Sequence, residues 1–170
     1  CCFASQSPMG PEDQRPAEMR NDVLVYTSDF LEHDLEVTGD VKAALWASSS
    51  ARDTDFTVKL VDVFPDGRAV NLCDGILRAR FRDPNRPPTL IEPNAAYCYE
   101  IQVGATSNLF KKGHRIRVDI SSSNFPLYDR NPNTGQWPKD AGPADFTPAL
   151  QTLFHDSEHP SFVSLPVVER

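Results

Sequence analysis

The chain has 170 residues, 39% hydrophobic and 24% charged, with a formal net charge of −7. A single domain of this length buries roughly 70% of the surface its unfolded chain exposes, so it needs no disulfide or metal staple. The 17 basic residues are scattered rather than clustered, which weighs against nucleic acid or anionic membrane as a partner, and no apolar run is long enough to span a bilayer.

Residues 1–20 are polar, proline-bearing and aperiodic, and read as a linker or an arm lying on the surface of a domain formed by 21–170. No signal-peptide pattern opens the chain, so the compartment stays open and leans to the cytoplasm. The start "CCFASQSPMGPEDQRP" reads as a cut inside a longer chain, with a lipid-modified N-terminal Cys as the alternative.

Short β-rich runs then follow at regular spacing: 22–28, 33–39, 41–49 and 55–64. Asp66-Gly67 separates the last of these from 68–73 and is a strong hairpin signal, because glycine accepts positive φ there. Further runs lie at 76–82, 96–103, 114–122 and 162–168. Phe56, Val58 and Leu60 alternate with Thr57 and Lys59, and Ile116, Val118 and Ile120 alternate with charged residues. Residues 149–156 suit either a strand or one helical turn. Fifteen prolines and no sustained helical stripe argue against a helix-rich fold. Nine or ten strands without crossover helices predict an all-β, antiparallel jelly-roll β-sandwich.

Residues 124–149 break the pattern. Loops this long are uncommon in compact domains and are usually functional or ordered against something. This one holds Phe125, Tyr128, Trp137 and Phe146. Phe125, Tyr128, Asp129, Arg130 and Asn131 form a candidate docking group, since aromatics and Arg are favoured at protein interfaces. Tyr128, Asn133 and Trp137 form an alternative sugar platform.

Other motifs give weaker chemistry. No serine sits in a Gly-x-Ser-x-Gly elbow. "HDSEHPS" (155–161) holds His155, Asp156 and Ser161, but adjacent residues seldom converge as a triad, and Pro160 spoils the helix that a His155/His159 metal pair needs. Asp53 and Asp55 read as a turn with side-chain-to-backbone bonds rather than a calcium loop, which requires six to eight oxygens. Cys73 and Cys98 read as small buried apolar residues. No metal or cofactor is expected.

Four stretches together carry a resemblance: "GPEDQRPAEMRNDVLVYTS", "LEVTGDVKAALWASSSARDTDFTVKLVDVFPDGRAVNLCDGILRARFR", "GHRIRVDISSSNFPLYDRNPNTG" and "HDSEHPSFVSLPVV". From about Gly10 to Val168 the chain resembles the C-terminal domain of the cocaine esterase and X-Pro dipeptidyl-peptidase group of serine hydrolases, which includes glutaryl acylases and α-amino acid ester hydrolases. The resemblance implies a jelly roll similar to galactose-binding modules, following an α/β-hydrolase domain of the same polypeptide that bears the Ser-His-Asp triad. No catalytic residue of the family maps onto this chain, which is expected to be inactive alone. It also implies packing on the catalytic domain, walling of its cleft and help in oligomer assembly, so a homo-oligomer is a further expectation. A free-standing carbohydrate- or protein-binding module is the alternative.

Overall fold

In a computed structural model, which describes residues 10–169, a four-residue helix, α1 (Arg15–Glu18), precedes eight strands. These are β1 (Leu24–Thr27), β2 (Leu35–Ser49), β3 (Asp55–Val63), β4 (Ala69–Arg78), β5 (Tyr97–Phe110), β6 (Arg115–Ser121), β7 (Gln151–Phe154) and β8 (Phe162–Ser164). All pairings are antiparallel. One sheet has the order β1-β6-β3-β4. The other has the order β5-β2-β7, with β8 also on β2. The all-β sandwich expected from the alternation is therefore present.

The strands are fewer and longer than the sequence suggested. The runs 33–39 and 41–49 form the single strand β2, which passes through Gly39 at φ +135 and a bulge between Val41 and Lys42. Likewise β5 continues through Gly104 (φ +132) to Phe110, seven residues beyond the expected end at 103. The runs 68–73 and 76–82 merge as β4, after which Ala79–Phe81 form a 3-10 turn. Residues 151–154 are a strand, not a helical turn. The hairpin at Asp66-Gly67 stands: Phe64 and Gly67 close it by backbone bonds, with Gly67 at φ +87.

The core lies between the sheets. Phe56, Val58, Leu60 and Ile120 face Val41, Leu45, Tyr99, Ile101 and Val103, and all are buried. Burial lifts the Tyr99 phenol well above its usual range. β4 bends onto β5, and Gly75 permits it: a Cβ there would stand 2.2 Å from the Gln102 carbonyl oxygen.

β3 is buried on its outer face too, where Val61 and Val63 cluster with Ala69. Residues 12–18 lie along that face. Gln14 donates its backbone N–H to the Ala69 carbonyl, and its side chain meets Asn71 and Lys59. Cys73 and Cys98 are free and half-buried rather than fully buried; burial pushes the Cys73 thiol up to about 11. Cys1 and Cys2 lie outside the described residues.

Candidate functional site

The site is the segment that leaves β6 at Ser121 and returns at β7, containing two 3-10 turns, Pro138–Asp140 and Pro143–Asp145. It opens with the Phe125-Pro126 cis peptide bond. Its base is held by charge. Asp53 and Asp55, fully and almost fully buried, stand where the "ARDTDF" turn enters β3, facing Arg78, the last residue of β4, and Arg80 in the 3-10 turn after it. Arg78 donates to both carboxylate oxygens of Asp55 at 2.8 and 3.0 Å, a forked, charge-assisted pair. That pairing raises the Arg78 guanidinium above its ordinary value. Arg80 donates its backbone N–H and its Nε to Asp53, and a terminal nitrogen to the carbonyls of Gly135 and Gln136.

Asn131 completes the cluster. Its amide donates to Asp53 at 3.0 Å and to Asp55 at 2.9 Å, while its Oδ1 accepts the Asn133 backbone N–H. Asp129 accepts from Arg78 at 3.3 Å, and Asn124 donates to Asp74. Five buried or half-buried side chains thus fix both limbs of the loop.

This corrects the reading of Asp53 and Asp55 as an Asx-type turn: their oxygens are committed to two arginines and an amide. It also adds Arg78 and Arg80, which sequence reasoning passed over. Directional charge-assisted bonds set backbone position more narrowly than apolar packing, which tolerates sliding.

The tip faces outward. Phe125 and Leu127 are 64% and 65% exposed, with Tyr128 at 40% and Trp137 at 43%. Trp137 carries the Arg80 guanidinium 4.3 Å from its ring centre and contacts Phe81. Arg130 is exposed, with Phe125 and Phe146 flanking its guanidinium at 5.4 and 4.8 Å. Within the docking group, Phe125 and Arg130 are in contact, Asp129 and Asn131 share the ionic cluster, and Tyr128 stands exposed beside them. The sugar-platform residues are less well joined. The Asn133 amide is spent on the Thr147 carbonyl, and no ring contact links Trp137 to Tyr128.

A cavity of about 790 Å³ lies beside the loop, lined among others by Gln14, Lys59, Asp119, Asn124, Phe125 and Arg130. Asp119 is 5% exposed, with Oδ1 lacking a hydrogen-bond partner. Burial, reinforced by the Glu18 carboxylate, pushes its pKa up to about 6.

"HDSEHPS" forms a corner. Ser161 Oγ accepts the Trp46 backbone N–H and donates to the Phe154 carbonyl, bridging the gap between β7 and β8 along β2. His155 meets Tyr26 edge-on, and His159 packs on Trp46 and Phe154, so no bond joins Ser161 to either imidazole. Among the described residues, no group of three or more His, Cys, Asp or Glu side chains could hold a metal ion, and no helix is long and apolar enough to cross a membrane.

Several known proteins share this architecture. The chain is 53% identical over 161 residues to a cocaine esterase of a Rhodococcus species, covering 95% of this chain and 28% of that protein. A putative serine esterase of Mycobacterium bovis is 29% identical over 164 residues, covering 86% and 24%. The crystal structure of an aminopeptidase from a marine sediment archaeon, Thaumarchaeota archaeon, superposes with a TM-score of 0.91 at 34% identity, over 98% of this chain and 30% of that one. An α-amino acid ester hydrolase gives 0.83 at 34% identity, over 92% and 27%. A Staphylococcus aureus hydrolase at 14% identity and TM-score 0.69, over 94% and 32%, shares the fold. The chain therefore spans less than a third of the length of these relatives. Residues 4–164 match the model of the X-Pro dipeptidyl-peptidase C-terminal non-catalytic domain, and the chain belongs to that family as an accessory domain of hydrolases.

Proposed function

We propose that the chain serves a serine esterase as its C-terminal domain, with the Asn124–Gly135 loop packed on the catalytic domain preceding it and lining the substrate cleft. The observation that carries this reading is the loop's division into a buried ionic base and an exposed apolar tip at Phe125, Leu127 and Tyr128. A loop fastened this firmly has no need of its tip for its own stability. Contiguous exposed aromatics on a rigid support are the usual makings of an interface. Ester chemistry is favoured because an esterase is 53% identical over nearly the whole chain.

The test uses the complete polypeptide with Phe125→Ala and Tyr128→Ala together. The expected result is a lower melting temperature and a changed KM for ester substrates. Unaltered stability and kinetics would remove the loop from the interface.

A further inference from the structure

We infer that Arg130 receives a carboxylate side chain from the preceding hydrolase domain, so that the loop's apolar contact is registered by one forked ion pair. This rests on the docking reading above and specifies the chemistry of its partner.

Arg130 differs from the arginines around it. Arg78 and Arg80 are tied to Asp55 and Asp53, Arg20 to Asp22, and Arg117 to Glu18. Among the described residues, Arg130 has neither a hydrogen bond nor an ion pair; its recorded partners are the rings of Phe125 and Phe146. Aromatic rings attract a guanidinium by its charge and leave its N–H donors without an acceptor. A flat edge with paired donors matches a carboxylate, which accepts both bonds at once.

The surroundings place this cation where a partner would arrive. Arg130 borders the 790 Å³ cavity together with Phe125, Asn124 and Ser123, beside the exposed tip. The nearest acid in sequence, Asp129, turns to Arg78. Asn131, on the other side, is sealed into the ionic cluster. Within residues 124–135 the one carboxylate, Asp129, is paired with Arg78, and the one cation, Arg130, has no carboxylate. The occupant is assigned to the preceding domain because the matched family is a C-terminal domain and the chain spans only 28% of its esterase relative.

The experiment is a charge-swap scan in the complete polypeptide, read by amide hydrogen exchange over residues 124–135. Arg130→Glu is expected to speed exchange there by roughly ten- to a hundredfold, the loss of one charge-assisted contact. Arg130→Lys should keep part of the protection, since an ammonium retains the charge but not the fork. One Asp→Arg or Glu→Arg change in the preceding domain should restore protection to Arg130→Glu. Phe125→Ala with Tyr128→Ala is measured in parallel. If the aromatic pair speeds exchange and Arg130→Glu does not, the loop docks but no carboxylate meets Arg130. An effect of Arg130→Glu that no acid-to-arginine change restores also overturns the inference. If neither set changes exchange, the docking reading itself fails.

Discussion

Replacing Asn131 with alanine removes the amide that joins the loop to the sandwich, and the cost can be worked from its three bonds. Two are charge-assisted, to carboxylates that are 0% and 1% exposed; one is the Oδ1 acceptor for the Asn133 N–H. Hydrogen bonds to charged groups are worth about 1.5–3 kcal/mol each and a neutral one about 1 kcal/mol. These terms do not add fully, because Asp53 keeps Arg80 and Asp55 keeps both bonds to Arg78. A net loss of about 3 kcal/mol is expected, whereas an ordinary loop substitution stays within about 0.5 kcal/mol.

Urea unfolding followed by tryptophan fluorescence provides the assay, since Trp137 rests on Arg80 and reports the loop. For a chain of this size the corresponding fall in Tm is about 6–12 °C. Asn133→Ala, which forfeits the bond to the Thr147 carbonyl and sets alanine at a φ of +66, serves as the comparison and should lose about 1–2 kcal/mol. Equal small losses for both variants would show that the buried cluster does not hold the loop.

Two further expectations concern the sandwich itself. Asp119 has its pKa raised to about 6 by burial, so the unfolded state releases its proton at lower pH than the folded state. Its contribution is favourable below pH 4 and is lost as the pH rises through 6; Asp119→Asn should flatten that slope and stabilise the protein by about 1–3 kcal/mol at pH 8, seen in melts across pH 4–8. Gly75→Ala places a methyl 2.2 Å from the Gln102 carbonyl oxygen and 2.8 Å from the Val103 Cα, both backbone atoms that cannot swing aside. A loss of about 3 kcal/mol or more is expected by chemical denaturation, and a near-neutral result would mean that β4 does not approach β5 this closely.

How far the sequence revealed these features depended on what each residue's pattern could encode. The alternation of Phe56, Val58 and Leu60 was legible because one face of β3 is apolar, but the cover over Val61 and Val63 comes from residues 12–18, which show no periodicity. Gly39 and Gly104 looked like strand ends. Both lie inside strands: a Cβ at Gly39 would stand 3.1 Å from the Pro166 ring, and one at Gly104 would stand 3.2 Å from Cys73 Cβ. Glycine at a close approach and glycine at a turn read alike in one dimension.

The ionic base of the loop was hidden by a single residue. From the Asp66-Gly67 turn, Val63 pairs with Ala69 and Val61 with Asn71; extended unbroken, that register would set Asp55 opposite Leu77 and turn Arg78 to the other face. The register shift after Leu60 adds one residue to β4 and brings Arg78 opposite Asp55. Asp-x-Asp and Arg-x-Arg were both visible as period-two charged pairs, but only the bulge makes them meet. Bulges carry no reliable sequence signal, and here one decides where four paired charges lie.

On the docking proposed above, an ionic base spares this loop what docking would otherwise cost. Apolar side chains of similar volume could match a buried ion cluster in stability, so stability alone does not explain it. Ordering a free loop costs about 1 kcal/mol or more per residue, on the order of 10 kcal/mol for residues 124–135. If that ordering occurred at the moment of contact, it would consume most of what a modest interface yields. Asn131, Arg78 and Arg80 instead fix the backbone during folding, before any partner arrives. The exposed tip can then bind with little further loss of freedom. If the loop docks as proposed, Asn131→Ala should weaken association of the two domains more than Phe125→Ala does, because it disorders every contact the tip makes rather than removing one.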